Sequence, residues 1–204
     1  MFEKQTLLAC DVDSSIWDTA EWVREAVLEV TGDAPDLEVL STWTHVLAAY
    51  GEEATAEIFD RVLAPERVHE REPYPGSAEV LRYIQEERGM RVHFITRSHD
   101  PDGMVPHLDP WLKGHFGPEV GLTVTTGDKL AVLRELGAFG LIDDHPDTIG
   151  RVADAGLWAA AKIQPWNRDL VAERPDVHGF SDWREVPDLL PSDLLPSSPN
   201  PAGN

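Results

Sequence analysis

The chain is short of cysteine, of positive charge and of long apolar runs, and each shortage narrows what it can be. Cys10 is its single cysteine among 204 residues, so no disulfide closes within the chain and no zinc–thiolate cluster forms. A reducing, cytoplasmic setting is the expectation. Lys and Arg number 17 against 37 Asp and Glu, a formal net charge of −20. Binding nucleic acid needs a basic face that releases counterions, so nucleic acid is excluded as a partner. The same field repels a small anion at long range, and a site for one must reverse the sign locally with a metal ion, a Lys or a helix N-terminus. No apolar stretch approaches the roughly 18 residues that span a bilayer. The N-terminal "MFEKQTLLACDVD" has one Lys, a short apolar run and no small-residue cleavage site, so neither membrane nor secretion signal is expected. The eight histidines are scattered, with no pair at the i, i+4 spacing of a metalloprotease helix.

What is present begins with "TLLACDVDSSIWDT" (6–19), a strand-like apolar run that ends in Asp11, Asp13 and Asp18. Crowded carboxylates repel, so folding alone gives no reason to gather them; either this is a solvated loop or a cation belongs there. Further strand patterns lie at 91–97, 119–126 and 139–144, with a weaker one at 156–163. Residues 76–89 and 127–137 between them carry helical spacing. This alternation predicts an α/β fold, a three-layer Rossmann-like parallel sheet. Residues 19–72 interrupt it with helical patterns only, and "EREPYPGS" (70–77) marks the return. The expected organisation is a core of residues 1–18 and 73–186, a small helical cap of 19–72 inserted after the first strand, and a loose Pro- and Ser-rich tail over 187–204. Trp22, Trp43, Tyr50 and Phe59 read as the cap's own core.

In a parallel sheet the C-terminal strand ends share one edge, where ligands bind. Here those ends carry Asp11 and Asp13, then Thr96, Arg97 and Ser98, then Asp128 and Lys129, then Asp143, Asp144 and Asp147. Together they fit phosphoryl transfer. A carboxylate attacks phosphorus and becomes an aspartyl phosphate, dividing one hard step into two. Paired acids hold Mg²⁺, which takes oxygen ligands. A hydroxyl and a Lys neutralise the phosphoryl oxygens. An acid two positions from the nucleophile, on the same side of the strand, protonates the leaving oxygen and later activates water.

The order Asp-x-Asp, Thr, Lys, Asp-Asp resembles the haloacid dehalogenase (HAD) superfamily of phosphatases; receiver domains use similar groups in the opposite order. Within it, "PYPG" (73–76), Asp128-Lys129, Leu141 to Thr148, Asn167-Arg168 and Trp183-Arg184-Glu185 resemble the 5′(3′)-deoxyribonucleotidase family, over most of residues 6–186. The resemblance implies Mg²⁺ as cofactor and a cap over the site. Asp11 is then the nucleophile, Asp13 the acid–base, and Thr96 and Lys129 the other catalytic groups. The metal would be held by Asp11, the backbone carbonyl of Asp13, Asp143 and, through water, Asp144. Substrate binding is expected from Ser15, Trp17, Arg97, Ser98 and Arg67. Trp17, in the turn after the nucleophile, would stack on a nucleobase, and Arg67 stands where the family places a base-covering aromatic. The chain departs from the pattern at Ser14, where Gly is usual, at Arg97 between Thr96 and Ser98, and at Gly127, where Arg usually precedes Asp-Lys. The expected function is a Mg²⁺-dependent phosphomonoesterase for (deoxy)nucleoside monophosphates, with a homodimer compatible. The alternatives are a HAD phosphatase for another small ester of the sugar-phosphate type, or an inactive HAD-fold binding protein.

Overall fold

A computed structural model of the chain describes residues 6–36 and 43–192. Six strands, Leu7–Cys10 (β1), Arg91–Arg97 (β2), Gly121–Thr125 (β3), Gly140–Asp143 (β4), Trp158–Lys162 (β5) and Val177–Phe180 (β6), make one sheet in the order β3-β2-β1-β4-β5-β6. All neighbours pair in parallel. From β1 the chain runs through Thr19–Thr31 (α1), Trp43–Val62 (α2) and a 3-10 turn over Pro65–Glu70 before Ser77–Glu86 (α3) returns it to β2. Pro101–Phe116 (α4), Lys129–Leu136 (α5), Pro146–Asp154 (α6) and Arg168–Glu173 (α7) make the later crossovers, and Val186–Leu189 (α8) follows β6. The fold is therefore the α/β parallel sheet that the alternation predicts, with a helical insert after the first strand.

β1 is the pivot of the topology. The chain steps outward from it to β2 and β3, then crosses back to β4 on its other side. Helices diverge to opposite faces at such a reversal and leave a crevice at the strand C-termini. All four residues of β1 are buried, because both faces are covered. Leu8, Cys10 and Val12 face one layer, with Val80, Leu81 and Ile84 of α3 and Leu108, Leu112 and Phe116 of α4. Leu7 and Ala9 face the other, with Leu130 and Leu133 of α5 and Ile149 and Val152 of α6. The insert has a small core of its own, Val23, Ala26, Val27, Val46, Ile58 and Val62.

Three elements differ from expectation. α4 was hidden in the sequence by Pro106 and Pro110. Both prolines fall on its exposed face, so their missing N–H groups sit on the solvated side while Leu108, Trp111, Leu112 and Phe116 are buried. β6 has only four residues, two of them His178 and Gly179, too short a pattern to read as a strand. The loose tail expected from Pro187 does not begin there: Val186 and Leu190 are buried against the core, and Trp158 Nε1 donates to the Leu189 carbonyl at 3.1 Å. Residues 193–204 of that segment lie outside those described, as does the side chain of Trp43.

Candidate active site

The C-terminal ends of β1 and β4, with the first turn of α5, bring Asp11, Asp143 and Lys129 together. β-strand alternation turns Asp11 to the α5 face, where Lys129 Nζ lies 2.5 Å from its Oδ1 and 2.8 Å from Asp143 Oδ2. All three are at least 94% buried by side chain. The Lys sits at the start of α5, against the preference of the helix dipole, because two carboxylates hold it there. Asp128 caps the same helix, accepting from Leu130 N at 3.1 Å. Burial pulls the Lys129 pKa down, but Asp11 and Asp143 more than reverse this and the ammonium stays firmly charged.

One ammonium does not balance the acids. Asp11, Asp143 and Asp144 each offer an oxygen, and these oxygens lie within 4.8 Å of one another. Burial, opposed by Lys129 but aided by Asp143 and Asp13, raises the Asp11 carboxyl to about 7. Asp144 is raised well above the carboxylate range by burial, then by Asp11 and Asp143. The site is thus deficient in positive charge and rich in hard oxygen donors, which is what a divalent cation such as Mg²⁺ requires. The residues fit that ion. Around them, His145 N donates to Asp143 Oδ1 at 2.8 Å, and Trp166 Nε1 to Asp144 Oδ2 at 2.9 Å. Asn167 Nδ2 donates to the Asp144 carbonyl at 2.7 Å and to the Lys162 carbonyl at 2.9 Å, tying the loop after β5 to the loop after β4.

Asp13 is held apart from this cluster. Its Oδ1 accepts from Trp17 Nε1 and from Thr19 Oγ1, both at 3.0 Å, and its Oδ2 accepts from Thr96 Oγ1 at 3.2 Å. Its side chain is 36% exposed. The turn that carries it passes through Ser14, the single non-glycine residue with positive φ among those described (53°). The Gly usual at this position is explained by that left-handed backbone, and here it is pinned instead: Ser14 N donates to Thr19 Oγ1 at 3.0 Å, and Gln164 Nε2 donates to the Ser14 carbonyl at 2.8 Å.

Of the residues expected to contact substrate, Trp17 and Ser15 are buried. Trp17 is 3% exposed, its ring covered by the Arg71 guanidinium at 4.3 Å and met edge-on by Trp111 at 4.9 Å. No ring face is open to a nucleobase, and its N–H is committed to Asp13. Arg67 stacks on Trp22 at 4.6 Å and pairs with Glu70 at 3.0 Å, rather than reaching into the crevice. Ser98 Oγ accepts from Asp100 N at 3.1 Å, at the start of α4. Arg97 is exposed and lines a separate cleft of about 530 Å³ with His145, Thr148 and Arg151. Ser15 is fully buried, its Oγ 3.5 Å from Asp11 Oδ2. Asp18, third acid of the opening run, caps α1 by accepting from Glu21 N at 3.0 Å. Asp147 lies in the first turn of α6, where the dipole favours an acid.

The sequence reading missed Thr19, Arg71, Gln164 and Trp166. Arg71 stands in the charged run "HEREP", which reads as solvated, yet it is 3% exposed. Trp166 and Gln164 lie beyond the weakest strand signal, so nothing local placed them at the sheet edge.

No protein-family profile matches the sequence, and no curated protein sequence matches it significantly. Solved structures do match in fold. A HAD-superfamily hydrolase of subfamily IA from Geobacter sulfurreducens superimposes with a TM-score of 0.58 at 16% identity, over 92% of this chain and 97% of that one. A haloacid dehalogenase-like family hydrolase from Xanthomonas campestris gives 0.57 at 17%, over 91% and 96%. CbbY from Rhodobacter sphaeroides, in complex with xylulose-1,5-bisphosphate, gives 0.61 at 15%, over 89% and 96%. At this identity the likeness is one of fold: the chain has the HAD-like architecture.

Proposed function

We propose that the protein is a Mg²⁺-dependent phosphomonoesterase working through an aspartyl phosphate on Asp11. The observation that carries this reading is the convergence of Asp11, Lys129, Asp143 and Asp144 on one buried point, with a partly exposed Asp13 beside it, hydrogen-bonded to the buried Thr96. The Asp11 carboxylate attacks phosphorus, the ester P–O bond breaks, and the departing oxygen takes a proton from Asp13. Water then attacks the acyl phosphate, gives its proton to Asp13, and inorganic phosphate leaves as the bond to Asp11 breaks. Lys129 holds Asp11 in line and offsets the charge that gathers as phosphate approaches. A divalent ion on Asp11, Asp143 and Asp144, with the Asp13 backbone carbonyl, would neutralise the phosphoryl oxygens. The insert, residues 19–72, acts as a cap that shields the acyl phosphate from bulk water.

The substrate class is a small phosphate monoester. The resemblance of "PYPG", Asp128-Lys129 and Asn167-Arg168 to deoxyribonucleotidases supports a nucleoside monophosphate. One observation favours a second reading: with Trp17 closed off, the expected stacking platform for a base is lost, and a sugar phosphate needs none. The fold neighbour CbbY, crystallised with a sugar bisphosphate, agrees with that alternative. Phosphate release from p-nitrophenyl phosphate, with Mg²⁺ and with a chelator, tests the chemistry. A panel of nucleoside monophosphates and sugar phosphates decides the class. No release from any ester in the presence of Mg²⁺ would leave an inactive binding protein as the reading.

A further inference from the structure

The two segments that join the insert to the sheet converge on one oxygen atom. Thr19, the first residue of α1, donates to Asp13 Oδ1 at 3.0 Å. Arg71, immediately after the 3-10 turn, brings Nη1 to 3.6 Å from the same oxygen. Its guanidinium is stacked between Trp17, from the loop after β1, and Trp22, from α1, at 4.3 and 4.9 Å from the ring centroids. Nη2 donates to the Val62 carbonyl at the end of α2, while Trp111 Nε1 donates to the carbonyl of Arg71 itself at 3.0 Å. Nε and Nη1 are buried and have no hydrogen-bond partner.

A guanidinium this buried is costly unless it faces an opposite charge. Burial lowers its pKa and Asp13 works against that fall. Two indoles fix its plane, since cation–π contact leaves the N–H edge free to point elsewhere. That edge points at Asp13. Lys would fill the same charge but not the same plane.

We infer that Arg71 is a positioning residue for Asp13: clamped between Trp17 and Trp22 where insert meets core, it fixes Oδ1 so that Oδ2, beside Thr96, faces the leaving-group oxygen. This rests on the phosphatase reading above. In the first half-reaction the ester P–O bond breaks and the leaving oxygen takes the Asp13 proton. An alkoxide needs that proton, whereas p-nitrophenolate, a stable anion, leaves without it. A misplaced Asp13 therefore harms alkyl esters and spares the aryl ester.

The test compares kcat/KM, which reports steps through leaving-group departure, for Arg71→Met and Arg71→Lys on three substrates: deoxythymidine monophosphate, glucose phosphate and p-nitrophenyl phosphate. For Arg71→Met the expected result is a loss of about 30-fold or more on whichever alkyl ester turns over, within the range for lost acid catalysis, and under about 3-fold on the aryl ester. Arg71→Lys should fall between this variant and wild type. If Arg71→Met does not accumulate as folded protein, Arg71→Lys carries the same comparison, with a selective alkyl loss expected. Equal losses on alkyl and aryl esters would overturn the positioning role and leave the phosphatase reading standing. Wild-type protein inactive on all three would overturn both.

Discussion

Lys129 faces two carboxylates and stands beside a third, and this imbalance sets how the site responds to pH. Burial pushes the Asp11 carboxyl up to about 7, above its unfolded value of about 3.8. A carboxyl whose folded pKa is raised favours the fold while protonated, and that contribution disappears as pH rises from about 4 through about 7. Mg²⁺ binds the deprotonated form, so it must displace a proton at low pH and none at high pH. The gain in Tm on adding millimolar Mg²⁺ should therefore be larger at about pH 8 than at about pH 5. Thermal melts at the two pH values, with and without Mg²⁺, check this; a gain that is equal at both, or absent at both, contradicts the metal assignment. The same residues mark the limit of what sequence could say. Asp11, Lys129 and Asp143 were legible because strand ends in a parallel sheet share an edge. Arg71 was not, since a charge in a charged run looks solvated until the fold buries it. Trp17 was legible as part of the turn that carries Asp13, but the direction of its ring was set by Arg71 and Trp111, which arrive from distant segments.

At the scale of elements, the strands with continuous apolar runs were readable because both faces of the sheet are covered. α4 and β6 were not. In α4 the deciding fact is which face carries the prolines, and that depends on the sheet it packs against. The helix should therefore be held by its buried stripe and not by its own propensity. Leu112 is fully buried between α4 and the sheet. Leu112→Ala should cost about 2–5 kcal/mol in denaturant unfolding, the range for a buried Leu cavity. A loss below about 1 kcal/mol would mean that α4 adheres loosely.

The whole molecule presents a field of −20 to any phosphate that approaches it. On the proposed reading the site reverses that sign only at close range, with Lys129 and a bound divalent ion. Screening should help rather than hinder: the Debye length falls from about 30 Å at 0.01 M salt to about 8 Å at 0.15 M. kcat/KM for a dianionic monoester is expected to rise over that range at fixed Mg²⁺, with kcat little changed, because repulsion acts on encounter. A fall in kcat/KM would point to a cationic docking surface instead.

The central claim is that Asp11 carries the phosphoryl group, and it is tested most directly by acid-quenching the protein during turnover of p-nitrophenyl phosphate with Mg²⁺ and mapping the phosphoryl mass by peptide mass spectrometry. The expected result is a phosphorylated peptide containing Asp11, absent when Mg²⁺ is chelated and absent in Asp11→Asn, with that variant folded and releasing phosphate at less than about 1% of the wild-type rate. A phosphoryl group on another residue, or Asp11→Asn turning over near the wild-type rate, would contradict it.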